Sequence, residues 1–173
     1  MEPNNTKCIT EAHADGGWDI NCRAVGKAIK DLSIIKGSLE DTNMAGGGGG
    51  KACAEVVNKR GSDDALIVAA SAATATRLAQ GAYPGNSMDQ VKWVGTIGAD
   101  YGVIAVAGDS DVVTLGELLE NLKTKPKKWV IGGGSAVGGW DHLKVLMAAK
   151  EYGISNVRKI KYVSFDGGGD AVT

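Results

Sequence analysis

The 173-residue chain offers few side chains that could perform chemistry near neutral pH. Its two histidines, His13 and His142, are the usual candidates for a general base at that pH. Ser135 precedes His142 by seven residues, so a serine nucleophile with a histidine base is one interpretation. However, the run GGSAV at residues 133–137 has Val137 where a nucleophile elbow requires glycine. These residues favour ligand binding over catalysis, and no spacing of His, Cys, Asp and Glu indicates a metal site.

A phosphate-binding loop is suggested by the run GGGGGK at residues 46–51. A Walker loop also needs glycine at its first position and Ser or Thr after the lysine, and here Ala45 and Ala52 occupy those positions. Without the hydroxyl there is no protein ligand for Mg²⁺. We therefore expect a flexible turn between a strand and a helix at this point.

A dinucleotide-binding turn is suggested by Gly132, Gly134 and Gly138. The spacing is one residue longer than the fingerprint, and no acidic residue closes a following strand at the expected distance of about 20 residues. An α/β enzyme that uses Ser135, or that holds a nucleotide cofactor at the 132–138 loop, is the alternative function.

The three cysteines leave the redox state open. Cys8 and Cys22 flank the first glycine turn, so a disulfide between them would staple that segment and leave Cys53 over. Other pairings, or three buried thiols, fit the sequence as well. A disulfide would indicate an oxidising compartment.

Glycine is the unusual feature of the composition, with 26 of the 173 residues. Much of the excess falls in four clusters, at 16–17, 46–50, 132–139 and 167–169. Basic and acidic residues nearly balance, 19 against 20, so no charged face for nucleic acid or an anionic membrane is expected. The longest mostly apolar run, 65–76, is far shorter than the ~20 residues of a membrane span.

Hydrophobic periodicity predicts strands that alternate with helices. Strands are predicted at 7–12, 65–69, 91–96, 103–107, 129–131 and 160–165, and helices at 18–32, 72–80, 114–122, 140–151 and from 170 onwards. Thr114 is the predicted N-cap of its helix. Such alternation indicates an α/β fold with a largely parallel sheet. The tetrapeptide GGWD occurs at 16–19 and again at 138–141, each time at a predicted helix start whose free amides could bind an anion.

Taken in order, these motifs resemble the substrate-binding proteins of the tripartite tricarboxylate transporters, the Bug family of periplasmic receptors. The segments that carry the resemblance are KCI at 7–9, GGWDINCR at 16–23, NMAGGGG at 43–49, WVG at 93–95, DYGVIAV at 100–106, GGGSAVGGWDH at 132–142 and YVSFDGGGDAVT at 162–173. The resemblance implies a periplasmic-binding-protein-like (type II) two-lobed α/β fold with mostly parallel sheets, incomplete at the C-terminus. Residues 1–99 would form the first part of lobe one and 100–173 part of lobe two, with a hinge near 100–102.

The resemblance also implies the function. The chain would be a non-enzymatic receptor that captures a small di- or tricarboxylate such as citrate and passes it to the membrane subunits of a transporter, with no cofactor and no nucleic acid. It would be an exported, periplasmic protein whose signal peptide is absent from the given sequence. A shortened fragment that binds nothing and folds as an oligomer is the other alternative, because an incomplete sheet would expose an edge for a homodimer.

Ligand-binding positions follow from the same resemblance. Backbone amides of the glycine loops in both lobes would hold the carboxylate, with side chains at neighbouring strand ends contributing. The residues carried over are Gly16, Gly17, Trp18, Ser71, Thr74, Ser135, Ala136, Val137 and Asp166. Departures from the family pattern are Asp15, which brings a negative charge to the first loop, and Glu11 and Ala45, which stand where prolines are usual.

Overall fold

The computed structural model of the chain describes residues 5–99 and 101–173. In this part of the chain five strands alternate with six helices. The strands are β1 (Thr6–Thr10), β2 (Leu39–Asn43), β3 (Leu66–Ala69), β4 (Val130–Gly133) and β5 (Lys161–Ser164), and the helices are α1 (Gly17–Asp31), α2 (Gly50–Lys59), α3 (Ala72–Ala79), α4 (Leu115–Thr124), α5 (Trp140–Glu151) and α6 (Gly168–Val172). Within these described residues, no helix has the length and apolar character that crossing a membrane requires.

All strand pairs are parallel, and they form two sheets. In the first sheet β1 lies between β2 and β3, so that Cys8 is opposite both Asp41 and Ile67. In the second sheet β4 pairs with β5. The predicted α/β fold with mostly parallel sheets is therefore confirmed. Because parallel strands end at one edge, the loops that follow β1, β2 and β3 lie at a common edge, as do those that follow β4 and β5.

The apolar core is built by the helices that the periodicity predicts. Helix α4 begins after Thr114, whose hydroxyl accepts from the Glu117 N–H while the Glu117 carboxylate accepts from the Thr114 N–H, so the predicted N-cap is confirmed as a capping box. Helices α4 and α5 pack together with their connections around one buried cluster. Its members are Val112, Leu118, Leu119, Leu122, Val145, Ala149, Ile154 and Ile160.

Cys8 and Cys22 form a disulfide that ties β1 to α1, which resolves the pairing left open by the sequence. Both residues are buried, and their Cα atoms lie 6.0 Å apart. Cys8, Cys22 and Asp41 lie close enough together to form a group of three potential metal ligands. The disulfide leaves neither cysteine with a thiolate, the form in which cysteine binds metals. Cys53 is a free, buried thiol, and burial raises its pKa.

The predictions of strands at 91–96 and 103–107 are wrong. Both segments lack strand pairing, and Val94 and Val103 are 88% and 82% exposed. Their apolar, β-branched residues have the composition of a strand, but no neighbouring strand in the described part of the chain pairs with them. The hinge expected at 100–102 includes Asp100, which lies outside the described residues.

The strand expected before the glycine run at 46–50 is β2, for which the sequence analysis gave no bounds. The run LEDTN of β2 contains a single apolar residue, because β2 is an edge strand that pairs only with β1 and is largely exposed. Apolar periodicity reports burial, so it cannot detect a strand whose faces are both wet.

Candidate functional site

The loops at the ends of the two sheets meet each other. In the first sheet's loops, His13 Nε2 lies 4.0 Å from Asp166 Oδ2, which follows β5 of the second sheet. In the loop after β2, Gly48 faces Ala136 in the loop after β4, and a Cβ built on Gly48 would lie 3.0 Å from the Ala136 Cβ. The loops at the carboxyl ends of the strands in the two sheets therefore face each other, and most of the predicted site residues lie in or beside these loops.

A buried carboxylate fixes the loop between β1 and α1. Asp19 has no exposed surface, and its oxygens accept from Arg23 Nε at 2.8 Å, Asn43 Nδ2 at 2.9 Å and the Asp15 N–H at 2.9 Å. The pKa of Asp19 is lowered to about 2, chiefly by the hydrogen bond from Arg23. The hydrogen bonds from Asn43 and Asp15 lower this pKa further, whereas burial raises it. Asp15 has a left-handed φ of 64°, so this turn closes back onto Asp19.

The first turn of α1 presents free backbone amides. Gly16 is the N-cap residue, and no side chain caps the helix. In the described part of the chain, the N–H groups of Gly17 and Trp18 have no hydrogen-bond acceptor. These are predicted binding positions, and amides at a helix start carry the positive end of the helix dipole.

The glycine run after β2 adopts a backbone that other residues rarely take. Gly46, Gly47, Gly48 and Gly49 all have positive φ. The Tyr83 hydroxyl donates to the Gly48 carbonyl, and a Cβ on Gly49 would lie 3.0 Å from that hydroxyl. The run is thus a turn packed closely against a buried tyrosine.

Glu11 lies beneath the same turn. It is 4% exposed, and a Cβ on Gly49 would lie 2.9 Å from its Oε2. Burial raises the pKa of Glu11 to about 7, although the Thr74 hydroxyl donates to Oε2 at 2.5 Å and lowers it. The hydroxyl of Thr74, a predicted binding residue, is therefore engaged with Glu11. Ser71, another predicted residue, caps α3 by accepting from the Ala73 N–H at 3.1 Å.

The loop between β4 and α5 has an unusual division of its hydrogen bonds. Each of four successive carbonyls accepts a hydrogen bond, three of them from side chains outside the loop. Tyr162 Oη donates to Ser135 O at 2.8 Å, the Gly139 N–H to Ala136 O at 2.7 Å, Arg77 Nη1 to Val137 O at 3.1 Å, and Gln80 Nε2 to Gly138 O at 3.1 Å.

The amides of this loop are left available. Within the described residues, the N–H groups of Ser135, Ala136 and Val137 have no acceptor. We call these three N–H groups the amide cradle. Ser135 Oγ accepts from the Asp141 N–H at 2.9 Å and lies 3.5 Å from Tyr162 Oη. A loop whose carbonyls are occupied and whose amides are free attracts an anion, because its own carbonyl oxygens do not compete for the N–H donors.

The geometry does not assemble a serine nucleophile. His142 Nδ1 accepts from the Gly138 N–H at 3.0 Å, and its ring stacks on Tyr162 with 4.5 Å between centroids. Burial lowers the His142 pKa, which favours the neutral ring that this bond requires. Ser135 Oγ accepts a hydrogen bond from the Asp141 backbone N–H, and the contacts of the described residues do not include a Ser135–His142 hydrogen bond.

Two pockets lie away from the predicted binding residues. One, of about 210 Å³, lies beside the glycine turn and Lys51, and its walls include Tyr83 and Pro84. The other, of about 340 Å³, lies between the 102–104 segment and the start of α5 at Trp140. The amide cradle lines neither of them.

Two solved structures share the architecture described above. The chain is similar to the periplasmic binding protein BugD, with a TM-score of 0.58 and 13% identity over 97% of this chain and 54% of BugD. It is also similar to a TctC solute-binding protein from Polaromonas, with a TM-score of 0.53 and 20% identity over 97% of this chain and 55% of that one. The chain has the fold of part of a periplasmic binding protein. No protein-family model and no curated protein matches the sequence.

The comparison supports the resemblance that the glycine motifs indicate, at the level of the fold. The chain spans about half the length of the two structures that it matches. One of these structures is of a periplasmic binding protein and the other of a solute-binding protein. Asp19, Glu11, Arg77 and Gln80 were not predicted as site residues. For Asp19 the repeated GGWD tetrapeptide was a usable signal.

Proposed function

We propose that the chain is an extracytoplasmic solute receptor that binds a small di- or tricarboxylate where the two sheets' loops meet. The observation that carries this proposal is the amide cradle at Ser135, Ala136 and Val137, in a loop whose carbonyls at residues 135–138 all accept hydrogen bonds. A carboxylate supplies several acceptors in one plane, which suits convergent N–H donors. Support also comes from the fold, which the chain shares with two solute-binding proteins.

The remaining predicted residues receive roles by their chemistry. Gly16, Gly17 and Trp18 contribute the free amides of α1 to a second carboxylate of the ligand. Asp166, with a largely exposed side chain, repels carboxylates but accepts from a hydroxyl, as a hydroxy acid such as citrate would offer.

Two hydroxyl residues of α3 complete this assignment. Ser71 orders the start of α3 and keeps its own proton free to donate. Thr74 contributes indirectly, because its hydroxyl donates to the buried Glu11 carboxyl group beneath the glycine turn.

The wider setting belongs to the same proposal. Residues 1–99 and 100–173 form two lobes joined near 100–102, and closure of the lobes presents the ligand to membrane subunits of a transporter. The Cys8–Cys22 disulfide supports a periplasmic location, since disulfides persist in oxidising compartments. A homodimer through an exposed sheet edge belongs to the proposal as well. The exposed apolar residues between 93 and 106 support self-association.

Calorimetric titration of the chain with citrate, succinate, acetate and a neutral polyol tests the function. We expect heat with citrate and succinate, weaker heat with acetate, and none with the polyol. A folded sample that releases no heat with any carboxylate would refute the receptor proposal. Turnover of an ester by the wild-type chain, lost in Ser135→Ala, would instead support the enzyme alternative.

A further inference from the structure

The loop that carries the amide cradle is held by two side chains from the other sheet's layer. Arg77 and Gln80 belong to the end of α3, which follows β3 of the first sheet. Arg77 Nη1 donates to Val137 O and Gln80 Nε2 donates to Gly138 O, each at 3.1 Å. The other two carbonyls of the loop are bound from within the second sheet's own layer, by Tyr162 and Gly139.

These contacts control peptide planes that reach the cradle. In a trans peptide the carbonyl and the following N–H point in opposite directions, so fixing one fixes the other. Gln80 holds the Gly138 carbonyl, which directs the Gly139 N–H towards Ala136 O, to which it donates at 2.7 Å. With the Ala136 carbonyl occupied, the Val137 N–H points the opposite way, into the cradle.

Arg77 acts on the neighbouring peptide in the same manner. It holds the Val137 carbonyl, which directs the Gly138 N–H towards His142 Nδ1 at 3.0 Å. His142 in turn stacks on Tyr162, whose hydroxyl binds the Ser135 carbonyl and so directs the Ala136 N–H. Two of the three cradle N–H groups, those of Ala136 and Val137, are thus traced to donors on their peptide carbonyls, Tyr162 and Gly139. Arg77 and Gln80 act on these peptides through the next ones along the loop.

The partial burial of Arg77 has an unfavourable free energy that a fully exposed arginine would not have. Its Nε is buried without a hydrogen-bond partner, and no carboxylate in the described residues lies within ion-pair distance of it. A buried, unpaired N–H is destabilising, so contacts elsewhere on the side chain must offset it. The uncompensated positive charge beside the cradle adds to the attraction for an anion.

We propose that Arg77 and Gln80 are positioning residues that support the amide cradle from the first sheet's layer. Carboxylate binding is then coupled to contact between the loops that follow the strands of the two sheets. The inference rests on the proposed function for its ligand. Coupling is reciprocal, so contact between the edges strengthens carboxylate binding, and a bound carboxylate strengthens the contact.

The test uses Arg77→Met, Gln80→Met and, as a matched control, Arg158→Met, which removes an equal charge from an exposed position. Amide exchange rates are measured by NMR without ligand, and the citrate Kd by calorimetry. We expect faster exchange at Gly138 and Gly139 in both α3 variants, unchanged exchange in the core of α4, and a citrate Kd raised about tenfold. Arg77→Lys, which keeps a charged donor, should recover part of both effects.

Unchanged exchange at Gly138 and Gly139 would overturn the inference, as would acceleration that is equal throughout the chain. If Arg77→Met does not fold, Gln80→Met, at an exposed position, carries the same comparison. The exchange measurement needs no ligand, so failure of the wild-type chain to bind citrate would count against the proposed function alone.

Discussion

Replacing Gly17 with proline removes one proposed ligand donor without removing the helix that carries it. Gly17 is the first residue of α1, where proline is well tolerated because its missing N–H has no acceptor within the helix. Gly16 has φ −73° and ψ 162°, a conformation that suits a residue before proline. A Cβ at position 17 meets no atom within 4 Å, so this first added carbon has room.

The size of the effect follows from the bond that is lost. A hydrogen bond to a charged group contributes about 1.5–3 kcal/mol, which corresponds to a rise of roughly 10- to 150-fold in Kd. The unfolded chain loses conformational freedom in the same variant, so the free energy of unfolding should stay equal or rise by about 0.4–1 kcal/mol. Affinity and stability therefore move in different directions, which separates loss of a donor from loss of the fold.

Calorimetry with citrate is the assay, and Gly17→Ala is the matched control because it adds a Cβ and keeps the N–H. We expect Gly17→Ala to bind nearly as well as the wild type and Gly17→Pro to bind at least tenfold more weakly. Equal affinity of the two variants, with wild-type binding intact, would refute a role for the α1 amides.

Three further predictions concern stability and assembly. The pKa of Glu11 is about 7 in the folded chain, above its ordinary 4.5, so the free energy of unfolding should fall by about 3 kcal/mol between pH 4.5 and 7. Denaturant titrations of Glu11→Gln should lack this fall, and an equal fall in the variant would contradict the raised pKa of Glu11. Replacing Cys8 and Cys22 with serine should cost about 3 kcal/mol in urea, whereas an unchanged midpoint would exclude a stabilising disulfide. Sedimentation velocity should show a dimer that Val94→Lys with Val103→Lys dissociates, and a monomeric wild type would disprove it.

The sequence predicts local structure well wherever burial is one-sided. The predicted bounds of α1, α3, α4 and α5 agree with the structure to within two residues. Apolar positions at a period of 3.6 mark α1, α3 and α4, whereas this periodicity is weak in α5. The glycine clusters also fall at the ends of strands, as expected. A polar edge strand such as β2 leaves no such pattern, and an apolar run such as 91–96 produces one without a partner strand.

The polar contacts that shape the site could not be predicted in this way. Glu11 meets Thr74 across 63 positions of sequence, and Arg77 meets Val137 across 60. Each partner looks ordinary by itself, since a threonine at a helix start and an arginine near a helix end are both common. Pairing of β1 with β3 brings Glu11 to Thr74, and contact between the layers of the two sheets brings Arg77 to Val137. Their roles therefore depend on tertiary structure rather than on any local pattern.

The repeated GGWD tetrapeptide shows how far a local motif determines a site. Both copies start a helix, as predicted, yet Asp19 is buried and receives three hydrogen bonds, whereas Asp141 pairs with Lys144 and its N–H is capped by Ser135. The free amides consequently lie inside the first turn of α1 but in the loop before α5. One edge therefore offers a helix dipole and the other a cradle of loop amides. A ligand held by both would have one carboxylate at the helix start and another at the loop amides, bound in different ways.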